Sequence, residues 1–476
     1  MYKYNKNVNK KKTNRKQSGF SFFLIVFLLF FSITLFAAET YEKKDLAIFS
    51  FYSGIPNVPD AVVQGLENII QATIHNLKRF NVYFYPDIYL DITYLPQFIE
   101  ALKNYREENY DQGTSSEFGN LVVSYDNMKK FAGSFYIIIP NLSYFSEYSK
   151  TDDETGETTY YVEMKVSVKI LNVETYQIVG DLFMEIEESS KEDITEAESD
   201  AISQVGATLE HDIKDIEDFA LKSGVIKKEG RYVYIDLGAN VGVQIGNEFL
   251  VIGKEKMNDK FFEKIVGLVR VTEVGKDISK ALILIEDQPI TEGDQLKEYN
   301  RWGFDGMVYG AVLLTGITGS TIYGGPEPFS VGDSSFLLGA GFSAQSYLNF
   351  NLFIDIGTEA YLTSPFVLNS YLGVGYSLFL GRLIPSVSAD ACYIMMRELS
   401  DTNYYGTSTF GLRAQFSIQY LLNYSSSFIL TAGYMLSFEI NSFTYHDEFG
   451  GTMDYSLTYP ISFTGLYFRF VYNIRF

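Results

Sequence analysis

The last twelve residues of this 476-residue chain alternate without a break: Leu466, Phe468, Phe470, Tyr472, Ile474 and Phe476 are apolar or aromatic, with Gly465, Tyr467, Arg469, Val471, Asn473 and Arg475 between them. Period-two patterning of this kind describes a β-strand with one oily face and one mostly polar face. An aromatic edge of that sort invites aggregation in a soluble sheet, so the pattern points to a strand whose oily face meets lipid. Segments of similar length precede it, giving eight in all: 306–318, 336–347, 352–362, 367–378, 385–396, 410–421, 428–440 and 462–476. A tilted transmembrane strand needs about 9–11 residues. The prediction is a closed antiparallel barrel over residues 303–476 with eight strands, or ten if a short pair is hidden in 320–335. Short turns at Gly381-Arg382 and Asn423-Tyr424-Ser425 alternate with longer connections at 320–335, 399–409 and 441–459, which are expected to face outward from the cell. The inward face offers Asp355, Glu359, Asp390, Arg413, Glu439 and Arg469. Charges in such a lumen persist only if paired or wet, and eight strands leave an interior filled by side chains. A plug of salt bridges is therefore expected ahead of an ion pathway.

Gly465, Leu466, Phe468, Phe470, Tyr472, Ile474 and the terminal Phe476 together resemble the insertion signal of bacterial outer-membrane barrels. The barrel as a whole is similar to the small OmpA-like type. This resemblance implies residence in the outer membrane, lipid around the wall and contact with the barrel-assembly machinery. The other end of the chain is compatible. Residues 1–19 carry Lys3, Lys6, Lys10, Lys11, Lys12, Arg15 and Lys16 with no acid, and 20–38 is apolar apart from Ser21, Ser32 and Thr34. A basic stretch, an apolar core and Ala37-Ala38 predict a signal peptide over residues 1–38; an uncleaved anchor is the alternative. Loss of those seven basic residues makes the mature chain seven units more negative than its formal −21. No basic stripe remains for nucleic acid. The single cysteine, Cys392, excludes an intrachain disulfide and a thiolate zinc cluster.

Residues 39–221 alternate strand and helix. Short apolar runs at 45–52, 81–85 and 134–140 read as strands; 60–78, 95–106 and 117–131 read as helices; 159–171 and 175–186 form a hairpin; and Ile194, Ala197, Ala201, Val205, Leu209, Ile213 and Ile216 mark a closing amphipathic helix. This order resembles the periplasmic α/β domain of curli-secretion lipoproteins and penicillin-binding-protein activators. Residues 222–300 are rich in β signals at 232–236, 248–252, 265–274 and 280–285, with glycine turns at 237–243 and 292–296. They resemble the SH3-like barrel at the C-terminus of the flagellar assembly protein T family, which implies a docking or spacing module. The expected fold class is thus multidomain: a periplasmic α/β domain, a small SH3-like β-barrel and a C-terminal transmembrane barrel.

A catalytic reading lacks support in the residues. His75 and His211 fall within helices, where an exposed position is the ordinary expectation. His446 beside Asp447 and Glu448 could relay a proton, yet no nucleophile or oxyanion feature accompanies it. Asp152-Asp153-Glu154 lacks calcium-loop spacing, and Gly339-Ala340-Gly341 and Gly373-Val374-Gly375 lie in barrel strands with no helix following to receive a phosphate. No cofactor, metal or catalytic residue is expected. The distribution of material favours a non-catalytic docking or scaffold protein that engages periplasmic or envelope proteins. A surface adhesin or receptor is the alternative, followed by a narrow pore or a lipid-modifying barrel enzyme. Trp302, the sole tryptophan, is expected at the lipid interface where the first barrel strand begins.

Overall fold

The computed structural model describes residues 41–107, 115–257, 260–317, 320–322, 329–399, 404–446 and 451–476. The signal segment, Asp447 and Glu448 lie outside the described residues. The first unit is built on a mixed sheet of β1 (Lys44–Phe49), β2 (Tyr52–Ser53), β3 (Phe80–Tyr85), β6 (Tyr136–Thr151), β7 (Thr158–Asn172) and β8 (Gln177–Ser190), in the order β3-β1-β6-β7-β8 with β2 on β6. β1 runs parallel to β3 and β6, and the β6-β7-β8 meander is antiparallel. Successive side chains of β1 point to opposite faces, and both faces are covered. Leu46 and Ile48 meet helices α1 (Asp60–Asn76) and α4 (Ile194–Asp215) through Leu66, Ile70, Val205 and Leu209. Ala47 and Phe49 meet α2 (Leu95–Arg106) and α3 (Tyr125–Gly133) through Phe98, Leu102 and Phe131. α4 starts where the Asp193 side chain accepts the Glu196 N–H at 2.8 Å.

The helix expected over 117–131 is shorter than its pattern. Residues 116–123 form a hairpin, β4 (Ser116–Phe118) and β5 (Leu121–Val123), turned at Gly119 with φ +63°, and only then does Ser124 cap α3. The strand expected over 134–140 is correspondingly too short. β6 continues to Thr151, pairing with β7 along a hairpin whose tip holds Asp152, which accepts the N–H groups of Glu154 and Thr155 as an ordinary turn.

The second unit closes as a barrel of six strands, β9 (Lys222–Glu229), β10 (Tyr232–Ile235), β11 (Glu248–Met257), β12 (Lys260–Val274), β13 (Ser279–Glu286) and β14 (Gln295–Tyr299), in the order β10-β13-β12-β11-β14-β9. β9 and β14, which lie outside the strands expected from the sequence, pair with each other and complete the closure. Val233, Phe249, Val251, Val269, Val271 and Ala281 fill it.

The third unit is an antiparallel wall of β15 (Phe304–Thr315), β18 (Leu337–Tyr347), β19 (Leu352–Tyr361), β20 (Phe366–Ser377), β21 (Leu383–Leu399), β22 (Tyr404–Leu421), β23 (Ser426–Ser437) and β26 (Gly465–Arg475). Neighbours follow chain order, and β26 closes the ring by pairing with β23 on one side and β15 on the other. The extra hairpins, β16 (Ser320–Ile322) with β17 (Phe329–Val331) and β24 (Ile440–His446) with β25 (Thr452–Ile461), stand beyond the wall at one end. The hidden pair therefore exists without making a ten-stranded wall. Val308, Phe342, Ile356, Leu372, Leu412, Leu430 and Phe470 face outward and exposed, giving the apolar belt of a transmembrane barrel.

Candidate functional site

Inward residues of the large barrel form layers. Towards the end away from the small barrel, the far end, the lumen is apolar: Leu313, Leu337, Val367, Ile394, Met396, Phe443 and Phe463 are buried there. Below it lies a charged layer. Arg413 donates from Nε to Asp390 Oδ2 at 2.7 Å and from Nη1 to Glu359 Oε1 at 3.0 Å, with all three side chains fully buried. Its guanidinium lies 4.2 Å from the Tyr371 ring centroid and 4.3 Å from that of Tyr467. Glu359 Oε1 also accepts from Asn369 Nδ2 at 2.7 Å and Tyr361 OH at 2.8 Å. Arg469 donates to Tyr371 OH at 2.6 Å and Gln415 Oε1 at 2.9 Å, and its nearest approach to Asp355 is 3.8 Å. Charges this deep persist because they are paired, while Arg413 Nη2, Arg469 Nε, Asp355 Oδ1 and Asp390 Oδ1 have no hydrogen-bond partner among the described residues. Gly373 makes room for the layer: a Cβ there would lie 2.2 Å from Asp390 Oδ1. Beneath it Ser388, Ser417, Gln419 and Thr431 line a cavity of about 20 Å³, room for about one water.

The near end is stoppered by the small barrel. Glu248 at the start of β11 accepts from Arg475 Nη2 on both oxygens, at 2.6 and 2.9 Å, and also from Arg270 Nη1 at 3.2 Å and Arg301 Nη1 at 3.5 Å. Burial raises the Glu248 pKa, but Arg475, Arg301 and Arg270 outweigh it and hold the carboxyl down at about 2. Arg301 also pairs with Asp305, whose other oxygen accepts Asn473 Nδ2 at 3.1 Å. The Arg270 guanidinium packs 4.4 Å from the Phe379 ring centroid and donates to Phe350 O at 3.3 Å. An apolar patch completes the seat: Leu268, Leu282, Leu284 and Ile285 of the small barrel meet Phe379, Ile384 and Leu421 of the large one. The first unit is fastened in turn. Buried Arg79 donates to Glu298 at 2.6 Å and to Phe219 O at 2.9 Å. Gly242, with φ +87°, passes so close to Leu77 that a Cβ would lie 2.2 Å from its carbonyl oxygen.

Of the predicted lumen charges, Asp355, Glu359, Asp390, Arg413 and Arg469 lie together in this layer, and Glu439 does not. β23 ends at Ser437, Phe438 N–H bonds to Phe410 O, and Glu439 is exposed in the link to β24. Gly465 is buried in β26, while Leu466, Phe468, Phe470, Tyr472, Ile474 and Phe476 all face outward, with Phe476 stacked on Phe304 at 5.4 Å. Trp302 is half-exposed, but its ring stacks on His211 of α4 at 3.8 Å, so it joins two units instead of standing alone at a lipid boundary. His211 is correspondingly not a simple exposed helix residue: Asn300 Nδ2 donates to its carbonyl at 3.0 Å. His446 stacks on Tyr404 at 4.4 Å. Sequence reasoning missed the Glu248 cluster entirely; the one available signal was a pair of arginines, Arg301 and Arg475, at the two ends of the barrel segment. Among the described residues no His, Cys, Asp and Glu grouping could hold a metal ion.

No family model and no curated protein matches the sequence. Among solved structures the chain is similar to the N-terminal β-barrel domain of OprF from Pseudomonas aeruginosa, at 11% identity and TM-score 0.21, over 36% of this chain and 97% of that one. It is similar to the outer membrane protein OprG from Pseudomonas aeruginosa at 11% identity and TM-score 0.26, over 36% and 95%. A major outer membrane protein from Thermus thermophilus gives 13% identity and TM-score 0.23, over 36% and 99%. At this level of similarity none of the three bears on what the chain does.

Proposed function

We propose that the chain is an outer-membrane protein of the bacterial cell envelope whose barrel anchors a non-catalytic periplasmic docking module formed by the first two units. The clamp at Glu248 carries this reading: it holds the small barrel, and through Arg79 the first unit, against one end of a barrel whose own lumen is filled. A filled lumen suits an anchor better than a conduit. The belt of exposed apolar residues and the aromatic C-terminal strand support the membrane, and the far-end hairpins would then face outward. The curli-type and flagellar-type resemblances of the first two units suit attachment to envelope proteins. One observation favours the receptor alternative. The β24-β25 hairpin projects past the wall and exposes Met453 and Tyr459.

Photocrosslinkers at two exposed positions of the intact chain separate the readings. One replaces Phe183 on β8, the edge strand of the first sheet; the other replaces Met453. Specific envelope proteins captured at 183 support docking. Capture confined to 453 would transfer the function to the outer hairpins. Recovery of the chain outside the outer-membrane fraction would overturn the location.

A further inference from the structure

We propose that the cleft where α4, the small barrel and the near-end turn of the large barrel meet binds a phosphate group, that of a phospholipid headgroup in the periplasmic leaflet. The inference rests on the outer-membrane reading above, and it names what that membrane would place at this level. The cleft has a volume of about 310 Å³, and its lining includes Lys214, Gly246, Arg270, Asn300, Arg301 and Leu348.

Its charge is the first argument. Two acids, Glu248 and Glu298, also line it, and each already receives an arginine from outside the lining: Arg475 at 2.6 Å for Glu248 and Arg79 at 2.6 Å for Glu298. Lys214 pairs with Glu210 at 2.6 Å on the partly exposed side of α4. Arg301 also pairs with Asp305, and the Nε atoms of Arg270 and Arg301 are buried without a hydrogen-bond partner among the described residues. Planar guanidinium groups match phosphate oxygens, and basic residues at a membrane surface attract anionic headgroups.

The rim is the second. Ile245 of the small barrel is 56% exposed and Leu348 of the barrel turn is 59% exposed, and both line the same cleft. Half-exposed Trp302 follows Arg301 in the chain. A basic floor beneath an apolar rim fits a phosphodiester with acyl chains attached. A free phosphate ion shares the chemistry of the floor and leaves the rim bare.

Trp302 is the only tryptophan and lies between the cleft residues Arg301 and Gly303, so its emission in the full-length protein reports from beside the cleft. Protein in nonionic detergent, its barrel shown folded by heat-modifiable migration, is titrated separately with short-chain phosphatidylglycerol, a short-chain diacylglycerol and inorganic phosphate. Saturable change with the phospholipid alone is expected. Lys214→Glu, which leaves the Glu248 clamp untouched, should weaken it about tenfold. Arg301→Gln should abolish it, and Lys214→Glu remains decisive should that variant misfold. Saturation by inorganic phosphate at equal concentration supports the phosphate site and assigns its source to the free ion. An equal response to diacylglycerol, or no response to any of the three, overturns the proposal. Fractionation tests the location separately, so a misplaced chain that still binds phosphate would sink only the outer-membrane reading.

Discussion

At Glu248 one buried carboxylate faces three guanidinium groups, and its protonation state is written into the joint between two barrels. Its folded pKa of about 2 lies below the ordinary 4.5, so the folded state favours the ionised form. The stabilisation is complete above about pH 4.5 and is lost as pH falls through that value towards about 2. A shift of this size corresponds to on the order of 3 kcal/mol. The gap in thermal midpoint between wild type and Glu248→Gln should therefore shrink steadily across that acid window. A gap that stays constant would count against the clamp. In the charged layer, Arg413→Gln leaves Glu359 and Asp390 buried without their shared cation, and should cost on the order of 3–5 kcal/mol. Gly373→Ala strikes the same layer sterically. Asp390 cannot swing aside without leaving Arg413 Nε and Gln415 Nε2, so a loss of about 1–3 kcal/mol in urea unfolding is expected. Gly310→Ala, where a Cβ meets nothing within 4 Å, is the control and should be neutral.

Among the elements, β26 has a special position because it pairs along its whole length with β15 and from Gly465 to Ile474 with β23. The ring cannot close until this last strand is in place. Its aromatic end is stacked on Phe304, at the first residue of β15, so the contact lies at the seam itself. Phe476→Asp should slow or prevent assembly, read as a loss of heat-modifiable migration; normal migration would separate the terminal residue from closure. Strand β26 also shows why so much of the barrel was legible. A wall between lipid and lumen imposes period two on every strand, and Tyr467, Arg469 and Asn473 obey it beside Phe468, Phe470 and Tyr472. Parity fails where a strand stops, which is why the alternation points Glu439 inward although it lies two residues past the end of β23. A helical spacing likewise could not foresee the Gly119 turn that breaks 116–123 into a hairpin. The clamp had no local period at all, since Glu248 and Arg475 are 227 residues apart. Only closure of both barrels brings them together.

For the whole molecule, the stopper at the near end and the charged layer inside the wall are separate obstructions. Loosening one does not remove the other. Glu248→Gln acts on the seat of the small barrel and leaves Arg413, Glu359 and Asp390 paired. Double replacement of Arg413 and Glu359 by Ala removes the plug and leaves the clamp. In planar bilayers the full chain should show no steady conductance, and Glu248→Gln should stay equally silent, because the apolar far-end lumen of Leu313, Val367, Ile394 and Phe463 and the layer beneath it are intact. The double variant should remain silent too, because the clamp and the apolar far-end lumen stay in place. Large, reproducible channels from the unaltered chain would reverse the order of the readings, making the lumen the working part and the first two units its regulator. Silence in the full chain and in every single-obstruction variant is what an anchor with a fastened module requires.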